Sequence, residues 1–300
     1  MFKRFRMCRA GAGLLVTAAL SVSVAGCSAG GQDDGSATTS ASGDPATWVL
    51  PIQAYLPTDE EQQQLSQAKK LLVGDCMKGF GFNWVPAPDL PKVGPKTLTD
   101  WRYGIHDMNL SRERGYKPAA TEMAAYDAAL KEGAQDRSSS DKAEIGVLNG
   151  TSEDVDGRKV PKGGCIGAAN RKIDTAAVEA RTAIDVGNGA FIKAKQDPAV
   201  VKAFAAWSGC MKKSGYDYKE PLDASDNPKF GSEDVSAEEI STATTDITCR
   251  DRTDVARIWF KAEAALQKQA IEQHAEQLQT DRRALDTAVK KASKLVSAAK

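Results

Sequence analysis

The 300-residue chain carries 40 Lys and Arg against 40 Asp and Glu, so it has no formal net charge. Without a surplus of cations it offers no basic face to release counterions from phosphates, which excludes a nucleic-acid binder. The length beyond the first segment supports one large domain or two small ones.

Residues 1–26 read as a secretory signal. Lys3, Arg4, Arg6 and Arg9 precede an apolar run from Ala10 to Ala25 that includes Leu14, Leu15, Val16, Leu20, Val22 and Val24. The run is shorter than the roughly 20 residues that a spanning helix needs, and no second run is long enough. It stops at Val24-Ala25-Gly26-Cys27, which resembles the lipobox read by bacterial diacylglyceryl transferase and signal peptidase II. That resemblance implies a mature chain that begins at Cys27, carries lipid there and sits on the extracytoplasmic face of the cell membrane. A plain signal peptide and an uncleaved anchor are the alternatives, but small residues directly before a cysteine have no packing reason to be there. Removing residues 1–26 takes away four basic residues and no acidic ones, leaving 36 against 40. A tether follows over residues 27–47, rich in Gly, Ser, Thr, Ala and Asp, whose random-coil reach is on the order of 25 Å.

The folded part divides at sequence level into a first half, 48–196, with a loop insertion, and a second half, 197–300. The spacing predicts a helix opened by a Thr58/Glu61 capping box, with Leu65, Ala68, Leu72 and Cys76 on one face. Residues 84–118 are rich in Pro, Gly and aromatics without a period. Met123, Tyr126 and Leu130 mark a short helix that ends at Gly133. Residues 134–164 read mostly as loop, with Ile145–Leu148 and Arg158–Val160 as a candidate hairpin. Glu153-Asp154-Val155-Asp156-Gly157 hints at calcium, yet no acidic residue falls at the twelfth position of an EF-hand loop, so a solvated turn is the better reading. From Cys165, an apolar stripe through Ile166, Ala169, Ile173, Ala177, Ala180 and Ile184 runs to Gly187-Asn188-Gly189, which ends or kinks it. Asp197 and Pro198 open the next helix, with Val200, Ala203, Phe204, Trp207 and Met211 apolar. Residues 232–300 contain neither Gly nor Pro. With Ser236 and Glu239 as a capping box, they read as one very long helix. Its residues Ile240, Ile247, Val255, Ile258, Trp259, Ala262 and Leu266 dock onto the body, and Ile271, Leu278, Leu285 and Ala292 recur every seven residues. That seam allows self-association, although Ala275 and Arg282 weaken it; folding back onto its own domain is the alternative.

With Cys8 lost in the signal and Cys27 given to lipid, Cys76, Cys165, Cys210 and Cys249 remain, which in an oxidising compartment reads as two disulfides. A metal site is the rival, but no Cys-x-x-Cys spacing exists and His106 and His274 are the only histidines. Four cysteines allow three connectivities. An internal repeat favours one of them. Cys76-Met77-Lys78-Gly79-Phe80-Gly81-Phe82-Asn83-Trp84 recurs as Cys210-Met211-Lys212-Lys213-Ser214-Gly215-Tyr216-Asp217-Tyr218, each copy closing a helix, with Gly81 and Gly215 as left-handed stops. Cys165 and Cys249 sit near the beginnings of later helical stretches. The economical pairing is therefore Cys76 with Cys165 and Cys210 with Cys249. The expected architecture is mainly α: a disulfide-tied helical body with two helix-Cys repeats, long loops and a long C-terminal helix.

These features resemble an uncharacterised class of secreted lipoproteins of high-GC Gram-positive bacteria. The residues that carry the resemblance are Cys76 to Phe82, Arg102-Tyr103-Gly104 with Arg114-Gly115-Tyr116, Tyr126 to Leu130, and Gly163-Gly164-Cys165, within a span of residues 60–265. The resemblance implies fold and location and no activity.

No nucleophile elbow, phosphate-binding loop or dinucleotide fingerprint occurs, so neither catalytic residues nor a cofactor are assigned. The segment that looks most like a recognition surface is Trp101, Arg102, Tyr103 and His106, continued by Arg114 and Tyr116, which combines aromatic faces, guanidinium forks and an imidazole. Its structural alternative is a loop whose aromatics plug gaps in the body and whose arginines face water. His274 reads as a solvated surface residue, and Phe204, Trp207 and Trp259 as core. A non-enzymatic surface protein binding an envelope protein, peptide or wall partner fits best. A hydrolase would need carboxylates such as Asp107 or Glu113 around His106. A transporter's solute-binding lipoprotein would need two lobes of alternating strands and helices, and the Val/Ile-rich strand runs for them are absent.

Overall fold

The computed structural model describes residues 43–133, 141–174 and 179–299; the expected signal segment, Cys27 and the expected tether as far as residue 42 lie outside them. The helices in chain order are α1 (Asp59–Gly79), α2 (Met108–Arg114), α3 (Ala120–Lys131), α4 (Lys142–Asn149), α5 (Gly164–Ile173), α6 (Arg181–Ala194), α7 (Pro198–Lys213), α8 (Pro221–Ser225), α9 (Ala237–Thr253), α10 (Val255–Gln273) and α11 (Ala275–Ala298). A two-stranded antiparallel ribbon, β1 (Asp154–Val155) with β2 (Arg158–Lys159), precedes α5. Among the described residues no helix is long and apolar enough to cross a membrane.

The last three helices form the spine. α11 packs along α1, α10 lies between α6 and α7, and α9 meets α2, α7 and α8. Each of the two main hydrophobic clusters draws on both halves of the sequence. One joins Trp48, Leu50 and Ile52 to Trp207, Val255 and Trp259. The other joins Leu65, Leu72 and Met77 of α1 to Cys165, Leu285 and Ala292. The seven-residue stripe thus ends in intramolecular burial, with Leu278, Leu285 and Ala292 at most 1% exposed. Leu285 and Ala292 pack in the cluster with α1, and Leu278 in the cluster with Trp48 and Trp259.

The single long helix expected over 232–300 is divided twice. Asp254 takes a left-handed conformation at φ 56°, and His274 leaves the helical region at φ −111°. Neither is a glycine or proline, so nothing in the composition marks them as breaks. Asp254 is a residue type that tolerates the left-handed region, and its carboxylate is held by Arg257 Nε at 2.7 and 2.9 Å. α11, with 24 residues, is the long C-terminal helix.

Three further expectations are corrected. Ile145–Leu148 lies inside α4, capped by the Asp141 side chain, and is no strand. Arg158–Lys159 pairs instead with Asp154–Val155. The acidic run supplies that ribbon's turn, where Asp156 and Gly157 both have positive φ as a tight hairpin demands. Gly187-Asn188-Gly189 lies within α6 and does not end it; Gly187 is on the buried face of that helix, beside Ile52. Ala177, assigned to the preceding stripe, falls outside the described residues. Cys165 does open α5, but Cys249 lies in the last turns of α9 because that helix stops at Thr253.

The disulfides join Cys76 to Cys165 and Cys210 to Cys249. Both repeat copies end identically. The N–H groups of Gly81 and Phe82 donate to the carbonyls of Lys78 and Met77 at 3.0 and 3.1 Å, and those of Gly215 and Tyr216 donate to Lys212 and Met211 at the same distances. That is the paired closure of a Schellman motif, with glycine at the left-handed position.

Candidate functional site

The Trp101–Tyr116 segment is built into the protein by carboxylates of the spine. Tyr103 is 1% exposed, and its hydroxyl donates to Glu263 Oε2 at 2.8 Å. Arg102 lies over the Phe191 ring and donates to the same carboxylate through Nε and Nη2, the latter at 2.7 Å. Gln267 adds a donor to Glu263 at 2.8 Å, while its own carbonyl accepts from Ile52 N–H. Burial works against the charge on Arg102, and the bonds to Glu263 outweigh it, so the guanidinium pKa is raised. Burial pushes the Tyr103 phenol up as well, with Glu263 acting in the same direction.

A second buried acid, Asp246, accepts from the Trp207 indole at 2.8 Å, from Arg250 Nε at 2.7 Å and from the Tyr116 hydroxyl at 3.2 Å. Burial raises the Asp246 carboxyl, and these donors work in the opposite direction. Arg250 also donates to the carbonyls of Tyr103 and Pro221. A third buried acid, Glu239, accepts from Tyr116 N–H at 3.1 Å and from Lys117. Ser236 does cap α9 by accepting from Glu239 N–H at 3.0 Å, but the Glu239 side chain serves the loop. Arg114 Nε donates to the Pro118 carbonyl at 3.1 Å. Tyr103 is buried and Trp101 and Tyr116 are half-buried against the body; Arg102 is bonded to the spine, and Arg114 within its own loop.

His106 stands apart. Nε2 lies 2.9 Å from Asp100 Oδ1, and Nδ1 lies 3.2 Å from Asp44 Oδ1, within the last residues of the span expected as tether. It borders a cavity of about 480 Å³ that Trp48, Arg250, Asp251 and Arg257 also line. Burial raises the Asp251 carboxyl there, opposed by His106. The carboxylates expected near His106 are not the ones found. Asp107 instead caps α2, accepting from Asn109 and Leu110 N–H, and Glu113 is exposed. Among the described residues no group of three or more His, Cys, Asp or Glu is placed to hold a metal ion.

The opening that sequence reasoning missed lies beside the first repeat copy. A groove of about 800 Å³ runs along α1 between the Phe82–Pro86 segment and the end of α11. Leu71, Phe82, Trp84 and Val296 give it an apolar surface, and Gln67, Asp75, Lys78 and Asn83 supply polar groups. None of those four polar side chains bonds to another described residue. Differences between the two repeat copies were the available signal. Lys70 occupies the position of Phe204, and Gly74 that of Ser208. In the second copy Phe204 is buried edge-on against Trp259 at 5.0 Å, and the Ser208 hydroxyl is bonded to the Tyr218 carbonyl. In the first copy Lys70 pairs with Asp89 at 2.8 Å, and the Trp84 ring lies beside Gly74.

Comparison with protein-family models, with curated proteins and with solved structures returns no match.

Proposed function

We propose that the chain is a lipid-anchored, extracytoplasmic binding protein without a catalytic centre. Cys27 fixes it to the outer face of the cell membrane, the tether sets its reach, and the helical body presents the α1 groove to an envelope ligand. The anchor rests on the lipobox-like Val24-Ala25-Gly26-Cys27, and the kinship with secreted lipoproteins of high-GC Gram-positive bacteria on the repeat residues. The observation that carries the binding role is a contrast in how polar groups are used. Arg102, Tyr103 and Tyr116 are bonded to Glu263 and Asp246, whereas the polar side chains that line the groove beside Phe82 and Trp84 are exposed and bond to no other described residue. A concave, mostly apolar site with a few free polar groups is the usual form of a small-ligand site.

The test is ligand-observed NMR of the detergent-solubilised full chain against a library of small neutral fragments. Binders lost on Trp84→Ala and retained on His106→Ala support the reading. An absence of Trp84-dependent binders overturns it.

A hydrolase centred on His106 has one observation in its favour, the cavity shared with Asp251. Against it, both imidazole nitrogens already face carboxylates, and no serine or cysteine nucleophile lines that cavity.

A further inference from the structure

We infer that the groove along α1 takes a neutral saccharide chain, with one face of a pyranose ring against Trp84 and the ring's hydroxyl edge toward Gln67, Asp75, Lys78 and Asn83. This rests on the binding reading above and adds the ligand's chemical class.

The aromatic surface supplies the first argument. Trp84 and Phe82 are both half-buried, held by the helix end yet open on the groove side. The face of an aromatic ring is its negative region and attracts the weakly positive C–H groups that crowd one side of a pyranose. The polar rim supplies the second. Two carboxamides both donate and accept, a carboxylate accepts, and an ammonium donates. Hydroxyls, which also do both, satisfy such a mixed set. A phosphate or sulfate, which only accepts, leaves the Asp75 carboxylate and the two amide oxygens unmatched.

Charge narrows the class further. Lys70 is already paired with Asp89, and Lys78 and Asp75 balance one another in number. A groove with no net charge gives neither a polyanion nor a polycation a favourable field, so an uncharged ligand fits best. The internal repeat shows the opening to be specific to the first copy. Where the second copy has the buried Phe204 and the bonded Ser208, the first has Lys70 and Gly74, with the indole of Trp84 lying beside Gly74.

The test uses the full chain in detergent with cellotetraose, maltotetraose and tetra-N-acetylchitotetraose as probes, read by saturation-transfer NMR and by tryptophan fluorescence. Trp48, Trp207 and Trp259 are at most 9% exposed, whereas Trp84 and Trp101 are half-buried; of these two only Trp84 lines the groove, so a fluorescence change lost on Trp84→Ala reports a groove ligand. The expected result is binding of at least one tetrasaccharide, weakened about tenfold by Trp84→Ala and retained by Trp84→Tyr, with Asn83→Ala lowering affinity at unchanged melting temperature. Failure of all three sugars at millimolar concentration, or binding unaffected by Trp84→Ala, overturns the saccharide class. If the sugars fail while apolar fragments bind in a Trp84-dependent way, the class falls and the groove reading stands. If nothing binds, both fall.

Discussion

Gly104 lies flat on the guanidinium of Arg250, so close that a Cβ at this position would overlap Cζ. Its φ of 105° is one that other residues rarely adopt, and Arg250 is held in place by Asp246 and by the Tyr103 and Pro221 carbonyls. The loop and the spine therefore meet at a point with no room for adjustment. Gly104→Ala should destabilise the protein by about 3 kcal/mol or more, seen as a lower urea midpoint at unchanged slope. A midpoint equal to that of the parent would mean that the loop is not locked on Arg250.

Glu263 is fully buried and accepts from Arg102, Tyr103 and Gln267. Truncation to Ala leaves a guanidinium and a phenol without their acceptor, and a loss of about 3 to 5 kcal/mol is expected. Replacing Arg102 and Glu263 together by Met should cost less than Glu263→Ala alone, because no charge is left stranded. Additive losses would show that the pair is not coupled.

The surface bridge between Glu61 of α1 and Arg282 of α11 should give stability a modest acid dependence. Hydrogen bonds from Arg282 hold the Glu61 carboxyl below its ordinary 4.5. A lowered folded value means that this contribution is complete above 4.5 and disappears as pH falls through the folded value. Both partners are partly solvated, so the effect is under about 1 kcal/mol. The fall in stability on acidification should be shallower in Arg282→Ala, and denaturant titrations at neutral and acid pH measure the difference.

The two disulfides close loops with sequence separations of 89 and 39 residues. Chain entropy then assigns about 4.6 kcal/mol to Cys76–Cys165 and about 3.9 kcal/mol to Cys210–Cys249. Ser substitutions of each pair should destabilise in that order, and peptide mapping of the parent without reductant should recover both linkages. Recovery of a Cys76–Cys210 linkage would refute the repeat-by-repeat pairing.

The legible parts of the fold are those whose signal is local. The Thr58/Glu61 box, the proline after Asp197 and the glycines at 81 and 215 act through backbone groups a few residues away, so their effect can be read from spacing. The breaks at Asp254 and His274 carry no comparable mark, and α6 runs on through Gly187 while packed against α10, far along the chain. The same holds for the site. The composition of Trp101–Tyr116 looks like a recognition surface, but whether an arginine faces a ligand or Glu263 is decided 161 residues later. The groove arises where α1, the segment after it and the end of α11 meet, so no single stretch of sequence contains it.

The most direct test of the anchored binding protein is intact-mass analysis of the protein recovered from membranes of the producing cells, alongside Cys27→Ala. The expected species begins at Cys27 with added diacylglycerol and acyl mass, and Cys27→Ala is released to the medium or accumulates unprocessed. A membrane-bound chain of mature length with an unmodified Cys27, or a Cys27→Ala protein retained at that length, would contradict the lipid anchor.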